Sequence, residues 1–355
     1  MIGLRQQIAQ MLIIGFDGTR LEPANPLVHC LSHEGLGGVI LFDYDLSNQQ
    51  PGKNLVNQAQ IKELTQELQE AAQKNAQNLP LFIAIDYEGG AVDRLKHIAG
   101  CPPTVTPENF TFLSPSDQEL QLKSMTATLR TLGFNLNFAP VVDLNMNQKE
   151  GIIGKLGRSY SSEAGELARI ARRFVRAFSQ QKIVCCYKHF PGHGSATGDT
   201  HQGFVDVTET FELRELEPYR ALMQGVEAMP MIMTAHVINR KLDPSGLPAT
   251  LSQPILTTLL REQIGFDGII ISDDLQMHAI SNHFSVEEAL GLTINAGADM
   301  VIFANQLGKI SATEVIDIIE KLVHEEKISE ERIQQAYQRI TKVKHAQLAP
   351  CYSTA

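Results

Sequence analysis

Four places in this chain put acids, bases or cations directly after a short apolar run. Residues 81–85 lead into Asp86, Tyr87, Glu88, Gly89 and Gly90, and 184–187 lead into Lys188, His189, Phe190, Pro191, Gly192, His193 and Gly194. Residues 231–235 end in His236, and 269–272 end in Asp273 and Asp274. Solvation does not demand a charge at the end of an apolar strand, because ordinary turn residues would serve. Carboxylates, imidazoles and a lysine together suit general acid–base work, attack by a carboxylate, or metal ligation. Asp273 lies nearer its strand end than Asp274 and is expected to point inward. Asp274 is expected in a loop, or as the cap of a helix beginning near Leu275.

The stretch 188–201, KHFPGHGSATGDTH, is the densest in chemistry. Gly192, Gly194 and Gly198 permit unusual backbone angles. Asp199 and His201 lie two apart, where a carboxylate orients an imidazole and favours its protonated form. A rival reading makes His189, His193, His201 and His236 a metal site. Against it, Pro191 and Gly192 break any helix that would align His189 with His193. Arg94 and Arg158 each admit a plain reading as surface or salt-bridge residues. Gly89 and Gly90 do not form a phosphate loop, because neither glycine-rich phosphate pattern is present.

Eight short apolar runs, at 12–16, 38–42, 81–86, 135–140, 184–189, 231–236, 269–273 and 300–304, are the candidate strands. They do not alternate polar with apolar, as expected for strands covered on both faces. Helical periodicity fills the gaps at 61–74, 120–132, 164–178, 213–227, 254–264, 286–295, 314–324 and 330–345. Pro254 suits a first helical turn, and Ser285 and Ser329 suit N-caps. The polar stretch 47–57 reads as a surface loop. This rhythm predicts an α/β fold, a (β/α)8 TIM barrel in one domain over 1–355 with helices at its C-terminus. A barrel gathers the C-terminal ends of its strands on one face, so the four charged strand ends would surround one pocket.

Composition narrows the function class. The 355 residues are 43% hydrophobic and 20% charged, ordinary for a chain that buries a large core. A formal charge of −10 argues against a nucleic-acid binder. No run approaches the roughly 18 apolar residues of a bilayer span, and the N-terminus does not read as a secretory signal. Five cysteines without metal-type spacing, Cys185 and Cys186 adjacent in an apolar run, fit reduced core residues and a cytoplasmic location.

Four motifs carry a likeness: DYEGGAVDR at 86–94, GRSY at 157–160, KHFPGHG with the following DTH at 188–201, and ISDDLQM at 271–277. With GGVILF at 37–42 and MTAHV at 233–237, the chain resembles family 3 glycoside hydrolases, specifically the single-domain bacterial β-N-acetylglucosaminidases of cell-wall recycling. The resemblance implies a retaining double displacement with Asp273 as nucleophile and His201, assisted by Asp199, as general acid/base. It implies that Asp86, Arg94, Arg158, Lys188 and His189 hold the non-reducing N-acetylglucosamine. It further implies peptidoglycan-derived muropeptides as substrates, no cofactor and no metal, no membrane or nucleic-acid partner, and a monomer. Tyr87 stands where the family has glutamine or histidine, Ala91 where it has arginine, and Thr200 where serine is common. The alternatives are a phosphorylase built on the same residues, a metal-dependent hydrolase on the same barrel, and a non-catalytic sugar-binding barrel.

Overall fold

The computed structural model describes residues 2–198, 203–224 and 230–348. Every expected strand is present, most of them shorter than the apolar run that signals it: β1 (Leu12–Ile14), β2 (Gly38–Ile40), β3 (Phe82–Ile85), β4 (Leu136–Asn137), β5 (Val184–Cys185), β6 (Tyr187–Phe190), β7 (Met231–Thr234), β8 (Ile269–Asp274) and β9 (Met300–Phe303). The run at 184–189 becomes two strands because Cys186 turns away from the ladder, its N–H bonding the carbonyls of Asn137 and Ala139. All pairings are parallel, in the order β6-β7-β8-β9-β1-β2-β3-β4-β5. The two ends of that order, β5 and β6, are successive pieces of one stave. The sheet therefore closes on itself as an eight-stave β/α barrel.

Closure explains the sequence pattern. Each strand is covered inside by other staves and outside by helices, so β1, β3, β7 and β9 are buried throughout. Each fully buried Leu, Ile or Val contributes about 1.5–3 kcal/mol. The surrounding helices are α1 (Leu4–Gln10), α2 (Gln58–Gln73), α3 (Pro115–Thr131), α4 (Ala164–Gln180), α5 (Glu217–Met223), α6 (Val286–Ala296), α7 (Ala312–His324) and α8 (Glu330–Leu348). On α4 the buried residues Leu167, Ile170, Ala171, Phe174, Val175 and Phe178 recur at spacings of three and four, making one apolar stripe toward the sheet. No helix among the described residues is long and apolar enough to cross a membrane.

Several boundaries differ from expectation for local reasons. Asn57 caps α2, accepting from the Gln60 N–H, so the helix starts ahead of its first apolar residue. The expected helix at 213–227 opens as a 3₁₀ turn, Leu213–Leu216, before α5, and residues 225–229 lie outside the described residues. Segment Pro254–Gln263 winds with a wide, π-type pitch, with Pro254 in its first turn. Ser285 and Ser329 do cap their helices, accepting from Glu288 and Arg332. The stretch 47–57 is not a plain surface loop. Gln50–Pro51 pairs with Tyr44–Asp45, and Lys53, Asn54 and Leu55 are buried.

The floor of the barrel is stitched by α8. Buried Asp299, just ahead of β9, accepts from Arg261, Arg332 and Arg339 and from the Ile270 N–H. Lys344 lies wholly buried, its Nζ 2.8 Å from both Gln10 Oε1 and the Gly37 carbonyl and 4.7 Å from the centre of the Phe82 ring.

Candidate active site

The rim site begins with the turn after β3. Tyr87–Gly89 pairs with Val92–Asp93 in a small antiparallel ribbon whose corner needs φ of +110° at Gly89 and +59° at Gly90. A Cβ at Gly89 would lie 2.4 Å from the Val105 carbonyl oxygen, so glycine is required by space as well as by angle. The ribbon returns Arg94 to Asp86, whose carbonyl accepts the Arg94 N–H at 3.3 Å.

An arc of alternating charge follows. Arg94 stands 3.8 Å from Asp43 and 3.7 Å from Asp86, with its guanidinium over the Phe42 ring. Lys188 Nζ lies 2.9 Å from Asp86 and 2.7 Å from Glu88. Glu88 takes Arg158 in a two-point pair, Nε at 2.9 Å and Nη2 at 2.7 Å. Burial opposes ionisation of Glu88, but Arg158 and then Lys188 outweigh it and hold the carboxyl well below its usual range. Burial likewise works against the charge on Lys188, and Asp86 with Glu88 more than restores it. Three carboxylates and three cations balance along this arc, so a neutral polyhydroxylated ligand meets many oriented donors and acceptors without a net charge.

Asp273 closes the circle from the far side of the barrel. It is the fifth residue of β8, half-buried, and its Oδ1 accepts the Asp274 N–H at 2.8 Å. Beneath the site, burial pushes the Cys186 thiol well up, and Asp273 and Asp86 both add to that rise against Lys188. Asp274 is not a helix cap: its Oδ1 accepts from Gln276 and Ala304, joining β8 to the end of β9, and the next helix starts only at His278.

His189 follows Lys188 through a cis peptide, and its Nδ1 sits 2.8 Å from Asp143. The turn after it is held by two buried carboxylates. Asp143 accepts the N–H of His189 and His193, and Glu215 accepts those of Gly194 and Ser195. Burial drives Glu215 up to about 7 and, with His189 close by, drives His193 down to about 4. The turn leads toward Asp199 and His201, which lie outside the described residues.

Sequence reasoning missed Asp143, Glu215 and Asp43. Asp143 was within reach of the strand-end rule, since Val141 still bridges Lys188 beyond the end of β4; Pro140 truncates the apolar run too early. Glu215 carries no such signal, because it sits in a helical turn remote in sequence. Among the described residues the histidines do not gather as metal ligands, and His201 lies outside them. His236 places its ring nitrogens 2.7 Å from Thr250 Oγ1 and 2.9 Å from the Asp274 carbonyl, and among the described residues no three metal-type side chains converge. Two surface clefts of about 400 and 370 Å³ lie beside β1, around Asp17. Neither is lined by any residue of the charged arc or by Asp273.

A closed β/α barrel with acids and cations gathered on one rim has the architecture of a barrel enzyme, and comparison supplies the family. The chain belongs to glycosyl hydrolase family 3, matching that family's N terminal domain over residues 3–343. It is 31% identical to a beta-hexosaminidase A of Pseudoalteromonas piscicida over 346 residues, 92% of this chain and 56% of that one. It is 30% identical to a beta-hexosaminidase of Idiomarina loihiensis, covering 86% of each chain. The structure is similar to that of a family 3 beta-N-acetylglucosaminidase from a Paenibacillus species, with a TM-score of 0.83, 32% identity, and coverage of 100% of this chain and 65% of that one. The chain thus spans just over half of the first relative and about two thirds of the solved enzyme.

Proposed function

We propose that this chain is a retaining exo-β-N-acetylglucosaminidase that removes the non-reducing sugar from peptidoglycan-derived muropeptides, in the cytoplasm and as a monomer. The observation that carries the reading is the placement of the Asp273 carboxylate opposite the Asp86–Lys188–Glu88–Arg158 arc at one end of a closed barrel. Asp273 attacks the anomeric carbon and forms a glycosyl ester while the acid protonates the departing oxygen; water then returns the sugar with the same group acting as base. His201 supplies that acid and base, aligned by Asp199. An imidazole with an ordinary pKa near ~6.5 does this at neutral pH without the strong burial a carboxyl would need.

Asp86, Arg94, Lys188, Arg158 and His189 orient the sugar. Arg158 spends Nε and Nη2 on Glu88, and its Nη1 has no hydrogen-bond partner among the described residues, which leaves it for a ligand. The names of the relatives support the N-acetylhexosamine as the sugar recognised. A chromogenic β-N-acetylglucosaminide assayed beside the matching glucoside tests this, with Asp273→Asn as the control that must lose turnover. Turnover of the glucoside alone would remove the N-acetyl assignment, and an active Asp273→Asn would remove the nucleophile. Sedimentation of the full chain as a dimer would remove the monomer.

A further inference from the structure

We propose that Asp143 is a positioning residue for the sugar-holding histidine: it locks the His189 ring with Nδ1 inward and Nε2 presented to the substrate. The inference rests on the reading above that His189 contacts the sugar.

The geometry is specific. Asp143 is 1% exposed and lies in the chain just beyond β4, alongside Lys188 through the Val141 bridge. Its Oδ2 is 2.8 Å from His189 Nδ1, both of its oxygens lie 3.2 Å from the His189 backbone nitrogen, and Oδ1 accepts the His193 N–H at 2.9 Å. One carboxylate therefore grips the ring, its own backbone and the next turn.

That grip decides the tautomer. Burial raises the Asp143 carboxyl, but His189 and the surrounding N–H donors lower it further than burial lifts it. An ionised carboxylate has no proton to give, so His189 Nδ1 must be the donor. With Nδ1 committed to Asp143, Nε2 is left for a ligand, and it has no partner among the described residues. His193 packs edge-on at 5.8 Å and walls the ring on one side. A sugar hydroxyl satisfies the remaining nitrogen, as an outer-shell carboxylate does for metal-bound histidine, by fixing ring orientation from behind.

Asp143→Asn keeps the shape and an acceptor for the His193 N–H, but it can turn an amide donor toward Nδ1. ¹⁵N-histidine NMR of the full chain should show the Nδ1–H form in the parent and the Nε2–H form in Asp143→Asn. On a chromogenic β-N-acetylglucosaminide, the variant should lose about 10- to 100-fold in kcat/KM, mostly through KM. In a His189→Ala background the same change should cost less than about twofold, since the two side chains act as one unit. A parent His189 in the Nε2–H form overturns the proposal, and this reading needs no variant to fold. So does a full, additive loss from Asp143→Asn in the His189→Ala background. If His189→Ala alone keeps full kcat/KM, the sugar-holding role of His189 fails instead, and the proposal falls with it while the Nδ1–H signature still stands.

Discussion

Glu88 is fully enclosed yet stays ionised, because two cations from different parts of the chain reach it: Arg158 from the segment after the short helix Ile152–Lys155 and Lys188 from β6. Removing Glu88 leaves Arg158 buried without its carboxylate, while Lys188 keeps Asp86, and breaking such a buried pair costs about 3–5 kcal/mol. Glu88→Ala should therefore lower the thermal midpoint sharply, well beyond the effect of alanine at an exposed glutamate such as Glu63. A midpoint shift no larger than the surface control would show that water, not the carboxylate, satisfies the cations. At the reacting bond, His201→Ala should slow natural glycosides by about 10²–10⁴-fold. It should slow activated aryl glycosides much less, because their leaving groups need no proton. Equal losses on both substrate types would count against the acid role.

At the scale of elements, α8 is fastened by charge at the barrel floor rather than by apolar contact alone. Burial drives Lys344 down to about 7 from its ordinary 10.5. Between those two values the unfolded chain holds a proton that the folded chain releases, so folding stability rises as pH climbs from about 7 toward 10.5. Below 7 both states are charged and this contribution is flat. Denaturant unfolding of the parent and of Lys344→Met across pH 6–10 should show the rise in the parent and its absence in the variant. Parallel curves would mean that Gln10, Gly37 and the Phe82 ring hold the lysine charged throughout. The helix caps belong to this scale as well: Ser285 and Ser311 each form a reciprocal pair with the glutamate three residues on, fixing where α6 and α7 begin and so where the loops above them start.

For the whole molecule, barrel closure places a carboxylate from β8 opposite a cluster drawn from β3 and β6, though 187 residues separate Asp86 from Asp273. With Asp273 as nucleophile, the proposed double displacement passes through a covalent intermediate and gives net retention. Proton NMR of early turnover should show the β-anomer of the released sugar before mutarotation. An α-anomer first would replace Asp273 as nucleophile with a role as base. Charge at this scale is consistent with the same picture, since the arc is balanced and the net negative charge of the chain lies elsewhere.

The amino-acid sequence by itself indicated the barrel's eight staves and several residues of the candidate rim cluster. Buried parallel strands must be continuously apolar, so an Asp, Lys or His at the end of one is conspicuous, and Asp86, Lys188, His189 and Asp273 are legible that way. It also indicated Ser285 and Ser329 as caps, because capping is a local hydrogen bond. Only the tertiary structure decided that Cys186 breaks the fifth stave, that Asp274 ties β8 to β9, and that Asp143 and Glu215 carry the turn after His189. These depend on which backbone N–H groups lose water and find no strand partner, and that is settled by how distant segments pack, which no spacing along one chain encodes.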